Sequence, residues 1–130
     1  MSDAFRIQNA ILCEEVRVEK NDKLILLGVY PGDVLIHDIP GALRMTFYLE
    51  LADLKKGQHA IFIRISGPGK GFAEATAEVN VGDNTDVVSL TGPSAILKVE
   101  QEGTLVLELG LSQDEMRPVW KRKVRLMSDS

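Results

Sequence analysis

The alternation of apolar and polar residues is the sequence feature that most constrains this fold, and it is clearest in residues 43–51, LRMTFYLEL. The apolar members of the alternation are Leu43, Met45, Phe47, Leu49 and Leu51. Because successive side chains of a β-strand point to opposite faces of a sheet, this rhythm predicts a half-buried strand. Residues 104–111, TLVLELGL, repeat it, and with residues 95–99 and a turn at 101–103 they predict a β-hairpin.

A second hairpin is predicted near the start of the chain, where residues 10–18 and 23–30 meet at a polar turn. In the first of these strands Leu12 and Val16 would share a face with Glu14. A β-bulge near residues 13–15 would move the glutamate to the other face, and we therefore expect one there.

Residues 72–81, FAEATAEVNV, admit two interpretations. Alanine and glutamate are strong helix formers and poor strand formers, which favours a helix. The alternation, however, runs unbroken through all ten residues, which favours a strand whose alanines pack under a larger neighbour. We predict the strand.

One helical turn is predicted near residues 112–117. Ser112 and Glu115 have the spacing of a capping box, in which each side chain bonds the other residue's backbone amide. Pro118 disfavours helical geometry at the residue before it and so ends the turn.

These patterns together predict an all-β protein with eight or nine strands. Turn signals rich in glycine and proline recur along the whole chain, which is typical of many short strands. The expected architecture is an antiparallel two-sheet sandwich, immunoglobulin-like or jelly-roll-like, and the second choice is one sheet closed on itself. With 130 residues, a single domain over residues 1–130 is expected.

Charge and apolar runs narrow the classes of partner. A net charge of −4 makes nucleic acid an unfavoured partner, since phosphates attract a positive field. The longest apolar run, residues 24–29, is far shorter than the roughly 20 residues of a membrane helix, so no membrane partner is expected. One cysteine, Cys13, allows no internal disulfide, and no basic leader is visible, so a cytoplasmic location is expected.

The stretch ISGPGKGF, residues 65–72, invites comparison with a phosphate-binding loop. Such a loop needs a serine or threonine after its Gly-Lys pair and a helix after that. Here Gly71 follows Lys70, and the next residues alternate like a strand. A hairpin loop is therefore the preferred interpretation, with glycines that allow positive backbone angles.

Metal binding and catalysis are weaker hypotheses. Three predicted loops contain aspartates, namely Asp33, Asp38, Asp53, Asp83 and Asp86. Loops at one end of a sandwich could bind calcium through such residues. Aspartate is, however, also common in turns. Neither His37 nor His59 shows metal-ligand spacing, and nothing local marks Cys13 as a nucleophile rather than a small core residue. We expect no cofactor, and an unrecognised hydrolase ranks last.

The last predicted strand is unusually basic, with five cations and no acid between residues 117 and 125. One interpretation is a patch for an acidic partner, with Trp120 as a stacking surface. The preferred interpretation is a strand whose cations face acidic neighbours such as Glu14, Glu15, Glu100 or Glu102. Such cations would also protect a sheet edge.

Residues 11–36, ILCEEVRVEKNDKLILLGVYPGDVLI, carry the one family resemblance. The Cys-Glu-Glu-Val-Arg start and the later Gly-Val-Tyr resemble the opening of small bacterial and phage-associated proteins grouped as a domain of unknown function. Glu14 stands where that family commonly has aspartate. The resemblance implies a small β-sandwich in a bacterial or phage setting, and it implies no activity and no catalytic residue.

The function predicted from these observations is a non-enzymatic binding or assembly module that acts through loops or an exposed sheet edge. Its partner would be another protein or a second copy of the chain. The candidate contact residues are Tyr30, Asp33, His37, Lys70, Trp120, Lys121, Arg122 and Lys123. The alternative is a domain that binds a small ligand or carbohydrate, with or without a metal, through Tyr30, Tyr48 or Trp120.

Overall fold

The computed structural model describes residues 5–127, which form ten β-strands and one short 3-10 helix. The strands are β1 (Arg6–Val18), β2 (Leu24–Val29), β3 (Val34–Ile36), β4 (Gly41–Ala52), β5 (Gly57–Ser66), β6 (Phe72–Val81), β7 (Val87–Thr91), β8 (Ala95–Val99), β9 (Gly103–Gly110) and β10 (Arg117–Leu126). The 3-10 helix, Gln113–Glu115, connects β9 to β10.

The strands form two sheets. The first has the order β2-β1-β4-β7, and β8 also pairs with β4. The second has the order β3-β10-β9-β5-β6. The predicted all-β class is confirmed, and two sheets of this kind fit a β-sandwich.

The core lies where the alternating strands face each other across the two sheets. Its largest fully buried side chains come mainly from β4, β5 and β9: Met45, Phe47, Leu49, Leu51, Ile61, Ile63, Ile65, Leu105, Leu107 and Leu109. The Phe47 ring meets the edge of Trp120 from β10, with 4.9 Å between ring centroids. The half-buried strands predicted for residues 43–51 and 104–111 are thereby confirmed.

Residues 72–81 are a strand, as predicted. β6 pairs with β5 over ten residues without a register shift. Its odd-numbered side chains, beginning with Ala73, are at least half buried, and its even-numbered ones are exposed. The alternation therefore outweighs the helix propensity of alanine, because the sheet supplies a face on which small side chains can pack.

Two parts of the fold prediction are wrong. The described residues contain ten strands rather than eight or nine, and β3 runs parallel to β10, so the sandwich is not purely antiparallel. Three residues, Val34 to Ile36, are too few for an alternation to be recognised.

Two local predictions are also wrong. Ser112 makes no side-chain cap, because the Glu115 amide donates to the Ser112 carbonyl oxygen at 3.2 Å instead, as the i→i+3 bond of a 3-10 turn requires. The register of β1 against β2 is constant from Cys13 to Val18, whereas its register against β4 shifts between Ile7 and Asn9. No bulge is needed beyond Cys13 because Glu14 is exposed there.

Candidate protein-binding interface

The first strand, β1, continues beyond the point where its pairing with β4 ends. β1 pairs with β4 as far as Cys13, which lies opposite Thr46, and it pairs with β2 from Cys13 to Val18. Among the described residues, β1 has no pairing with β4 beyond Cys13. The second half of β1 and the whole of β2 are thus a two-stranded ribbon, which we call the arm (residues 14–29).

Aliphatic side chains of the arm are left uncovered. Seven of them lie in its two strands, and each is partly or largely exposed: Val16, Val18, Leu24, Ile25, Leu26, Leu27 and Val29. Val18 exposes 69% of its surface and Val29 exposes 48%. Because full burial of one such side chain contributes about 1.5–3 kcal/mol, the arm leaves much hydrophobic free energy unused within a single chain.

The two faces of the arm differ in composition. On one face Val16 lies opposite Leu26 and Val18 opposite Leu24, and the charged residue on this face is Glu14, which covers Gly28 at the base of the arm. On the other face an aliphatic side chain lies opposite a charged one, namely Leu27 with Glu15 and Ile25 with Arg17. The first face is therefore the more hydrophobic of the two.

Polar contacts fix the base of the arm. The Tyr30 hydroxyl donates to the carbonyl oxygen of Arg44 at 2.8 Å, beside the part of β4 from which β1 has separated. Burial, and next the charge of Glu14, raise the pKa of Tyr30, so its hydroxyl stays a donor at neutral pH. The Arg44 guanidinium lies 3.5 Å from Glu15, and the Glu14 side chain covers Gly28. These contacts hold the arm in a defined direction.

A free edge strand can pair with a strand of another chain unless a structural feature of the edge prevents it. In the described structure, β3 is only three residues long, and residues 117–123 of the adjacent β10 contain a proline and four cations. The edge made by β7 and β8 is interrupted at Pro93 and carries Lys98. β6 carries Glu74 and Glu78. Each of these edges thus has a feature that discourages pairing.

The edge of β2 has none of these protections. Its residues, LILLGV, include no charged residue and no proline, and β2 pairs with β1 alone among the described strands. An exposed hydrophobic edge strand without charges is a predicted site of pairing with another chain. The arm, with the free edge of β2, is therefore our candidate interface.

Of the candidate contact residues in the first loops, only Tyr30 lies at the arm. Asp33 is ion-paired with Arg125 of β10 at 3.2 Å. His37 is exposed in the connection between β3 and β4. Asp33 and His37 thus flank β3 in the second sheet, whereas the arm belongs to the first.

The glycine-rich loop closes a hairpin, as predicted. Ser66 lies opposite Phe72, and the Gly67 amide donates to the Gly71 carbonyl oxygen at 2.7 Å. Gly69 has a φ of +83°, which favours glycine. Lys70 is exposed in this loop.

The basic residues of β10 are divided between two faces. The Arg122 guanidinium lies 4.8 Å from the centroid of Trp120, whose ring packs against Phe47. Lys121 and Lys123 alternate with these two residues and are exposed on the opposite face. The four candidate contact residues of β10, residues 120–123, therefore do not form one surface. Trp120 is also partly covered by Phe47 and Arg122.

Two of the acidic partners predicted for the cations of this strand, Glu15 and Glu102, bind other groups. Glu15 is ion-paired with Arg17 and Arg44, neither of which belongs to β10. Glu102 accepts a hydrogen bond from the backbone amide of Leu126. Arg125 of this strand is ion-paired with Asp33, because β3 unexpectedly lies beside β10.

Three of the five aspartates proposed for calcium lie in separate ion pairs. Asp33 contacts Arg125, Asp53 contacts Arg6 and Asp83 contacts Lys56. Within residues 5–127, no three His, Cys, Asp or Glu side chains come close enough to hold a metal ion together.

Cys13 is a core residue, in agreement with the preferred interpretation of the sequence. Its side chain is fully buried, and its thiol donates to the Glu15 carbonyl oxygen at 3.5 Å. Burial raises the pKa of the Cys13 thiol, whereas a reactive cysteine needs a lowered pKa.

A shallow groove of about 380 Å³ crosses the outer face of the first sheet beside the base of the arm. Its lining mixes charged, hydroxyl and aliphatic side chains, including Arg44, Ser94 and Ile96. The aromatic residues proposed to hold a sugar do not meet there, since Trp120 contacts Phe47 on the inner face of β4 and Tyr48 points outward. Binding of a small ligand stays a prediction.

Tyr48 and Glu50 form a polar pair on this outer face. The Tyr48 hydroxyl donates to the Glu50 carboxylate at 2.6 Å, and Asn9 donates to the same carboxylate. The hydrogen bond to Glu50, and then burial, raise the pKa of Tyr48 to about 12. The bonds from Tyr48 and Asn9 lower the pKa of Glu50.

We expect Tyr48→Phe to lower the free energy of unfolding at neutral pH by at most about 1 kcal/mol, because the bond faces solvent. Since the folded-state pKa of Glu50 is lowered, its contribution is present above the unfolded pKa and is lost as the pH falls through the folded pKa. The raised pKa of Tyr48 gives a contribution that is lost between pH 10 and about 12. Urea titrations of both proteins across this pH range measure the difference, and a difference independent of pH would contradict the assignment.

Comparison with known proteins adds no relative: no family model matches the chain, and no curated protein matches it. The resemblance of residues 11–36 to small bacterial and phage-associated proteins stays a prediction. In the described part of the chain, no helix has the length and apolar character needed to cross a membrane.

Proposed function

We propose that this protein is a non-enzymatic assembly module that binds another protein chain through the arm. The partner extends the first sheet by adding a strand to the free edge of β2. The observation that carries the proposal is the uncharged β2 edge in a ribbon whose aliphatic side chains are exposed on both faces.

Two kinds of interaction support this mode of binding. A strand added to a sheet edge gains main-chain hydrogen bonds, and the alternating side chains beside it supply specificity. The centres of protein interfaces are depleted of charged residues and enriched in apolar ones, as β2 is. The arm is anchored at its base through Tyr30 and Arg44, so a partner meets a ribbon of fixed direction.

We also propose that the scaffold is an immunoglobulin-like sandwich. Its first sheet contains β1, β4 and the β7–β8 edge in that order, which corresponds to strands A, B and E of that fold. Its second sheet contains β10, β9, β5 and β6, which corresponds to G, F, C and C′ of the variable type. In this correspondence the arm, formed by the second half of β1 and by β2, extends beyond the sandwich.

Photo-crosslinking in the cells that produce the protein tests the proposed function. A photoreactive amino acid at Ile25, which is 40% exposed on β2, is expected to form a covalent adduct with a protein chain. The same amino acid at Thr76, which is exposed at the centre of β6, is the matched control and is expected to form far less adduct.

The identity of the adduct does not affect this test, because another copy of the chain and a different protein both satisfy the proposal. No adduct from position 25, or equal adducts from positions 25 and 76, would show that the arm is not a protein-binding surface.

A further inference from the structure

We infer that the chain bound by the arm is a second copy of this protein. In this dimer, which rests on the proposed function, β2 pairs antiparallel with β2 of the second copy about a two-fold axis near Ile25 and Leu26. The two first sheets then become one continuous sheet.

The charge on each edge strand favours this occupant. A two-fold axis brings a strand against itself, so any charge near the axis meets an identical charge. β2 has no charged residue, and self-pairing therefore brings no like charges together within the paired strands. β6 is the longest uninterrupted edge among the described strands, but pairing about its centre would place Glu74 opposite Glu78 of the second copy, twice.

The net charge of the whole arm also favours a second copy of the chain as the partner. Residues 14–29 contain four acids and three bases, so the net charge is 3 − 4 = −1 and two arms repel each other weakly. A different protein recognised by its charge would need a strongly charged counterpart on the arm, which this near balance does not provide.

The faces of the arms also match under this symmetry. An axis perpendicular to the sheet keeps each face on its own side, so the aliphatic face of one arm adjoins the aliphatic face of the other. Val16, Leu24 and Leu26 of each copy, which are half-buried in one chain, would then lie in one shared apolar surface. Homodimer interfaces are typically more apolar than transient ones, which fits this arrangement.

Sedimentation velocity with the full chain tests the dimer. We expect a dimer at tens of micromolar protein. Ile25→Lys places like charges near the axis and is expected to raise the dimer dissociation constant at least ~10-fold. Ile25 lies on the outer face and is already 40% exposed, so the lysine can reach solvent in a folded monomer, which circular dichroism checks.

Charge complementation separates a lost contact from a damaged fold. An equimolar mixture of Ile25→Lys and Ile25→Glu is expected to recover a mixed dimer, since opposite charges then meet across the axis. Thr76→Lys on β6 is the matched control and is expected to leave the dimer intact.

Three results would overturn the inference: a native chain that stays monomeric at this concentration, a mixture that does not reassociate, or dissociation by Thr76→Lys but not by Ile25→Lys. If the native chain is monomeric but position 25 still crosslinks to a different protein, the inferred dimer is wrong and the proposed function stands. The proposed function fails only in the crosslinking experiment, so the two failures are distinguishable.

Discussion

Alanine in place of Phe47 is expected to lower the free energy of unfolding by about 3–5 kcal/mol, which is the usual cost of removing a large aromatic side chain from a core. Phe47 has no exposed surface and lies in β4, between the partner strands of the first sheet and the facing second sheet. Its loss also removes the edge-to-face contact with Trp120, which contributes about 0.5–1.5 kcal/mol beyond the buried area.

Urea unfolding followed by the fluorescence of Trp120, the only tryptophan, measures this loss. Phe72→Ala is the matched control, because Phe72 is 62% exposed at the start of β6, and its effect should stay within about 0.5 kcal/mol. Equal effects of the two substitutions would contradict the described core.

Valine in place of Gly71 is expected to lower the free energy of unfolding by about 2 kcal/mol, within the range found for overpacked sites. A Cβ atom at this position would overlap the carbonyl oxygen of Lys98 in the backbone of β8. Because a strand backbone cannot move aside cheaply, the loop must shift away from β8. Glycine is therefore needed here for the close approach of the loop to β8.

Lys70→Ala tests the same loop without a steric change. Lys70 is exposed, and its removal should alter stability by no more than about 0.5 kcal/mol in thermal unfolding. If Gly71→Val were as mild as Lys70→Ala, the close approach of the loop to β8 would be wrong.

Much of the fold follows from local pattern, because one face of each central strand is buried. The alternation in residues 43–51 and 72–81 identifies two strands and the faces that they bury. Even the alanine-rich β6 obeys it, because it pairs with β5 along its whole length and its alanines lie on the less exposed face.

The arm could not be recognised from the sequence. A hairpin at residues 10–30 was predictable, but its separation from β4 depends on a pairing with residues far along the chain. A strand covered by its own chain and a strand covered by a second chain carry the same apolar pattern. The available signal was residues 24–29, in which consecutive side chains are aliphatic on both faces of an edge strand.

The basic strand was misjudged for a similar reason. A strand was correctly predicted here, but the topology of the sheet decides which strands lie beside it. The parallel β3 brings Asp33 to Arg125, while Glu15 and Glu102 bind other groups. No local pattern indicates a parallel partner of three residues.

The interruption between β7 and β8 determines which side chains of β8 point towards the core. Gly92 bonds opposite Phe47 and Ser94 bonds opposite Thr46, so Pro93 is one surplus residue on this edge, and it has no amide hydrogen to leave unpaired. Inward positions therefore change from even, at Leu90, to odd, at Leu97. If Pro93 occupied an ordinary position in the ladder instead, the alternation would turn Ile96 and Lys98 towards the interior, so this one surplus residue decides which side chains of β8 meet water.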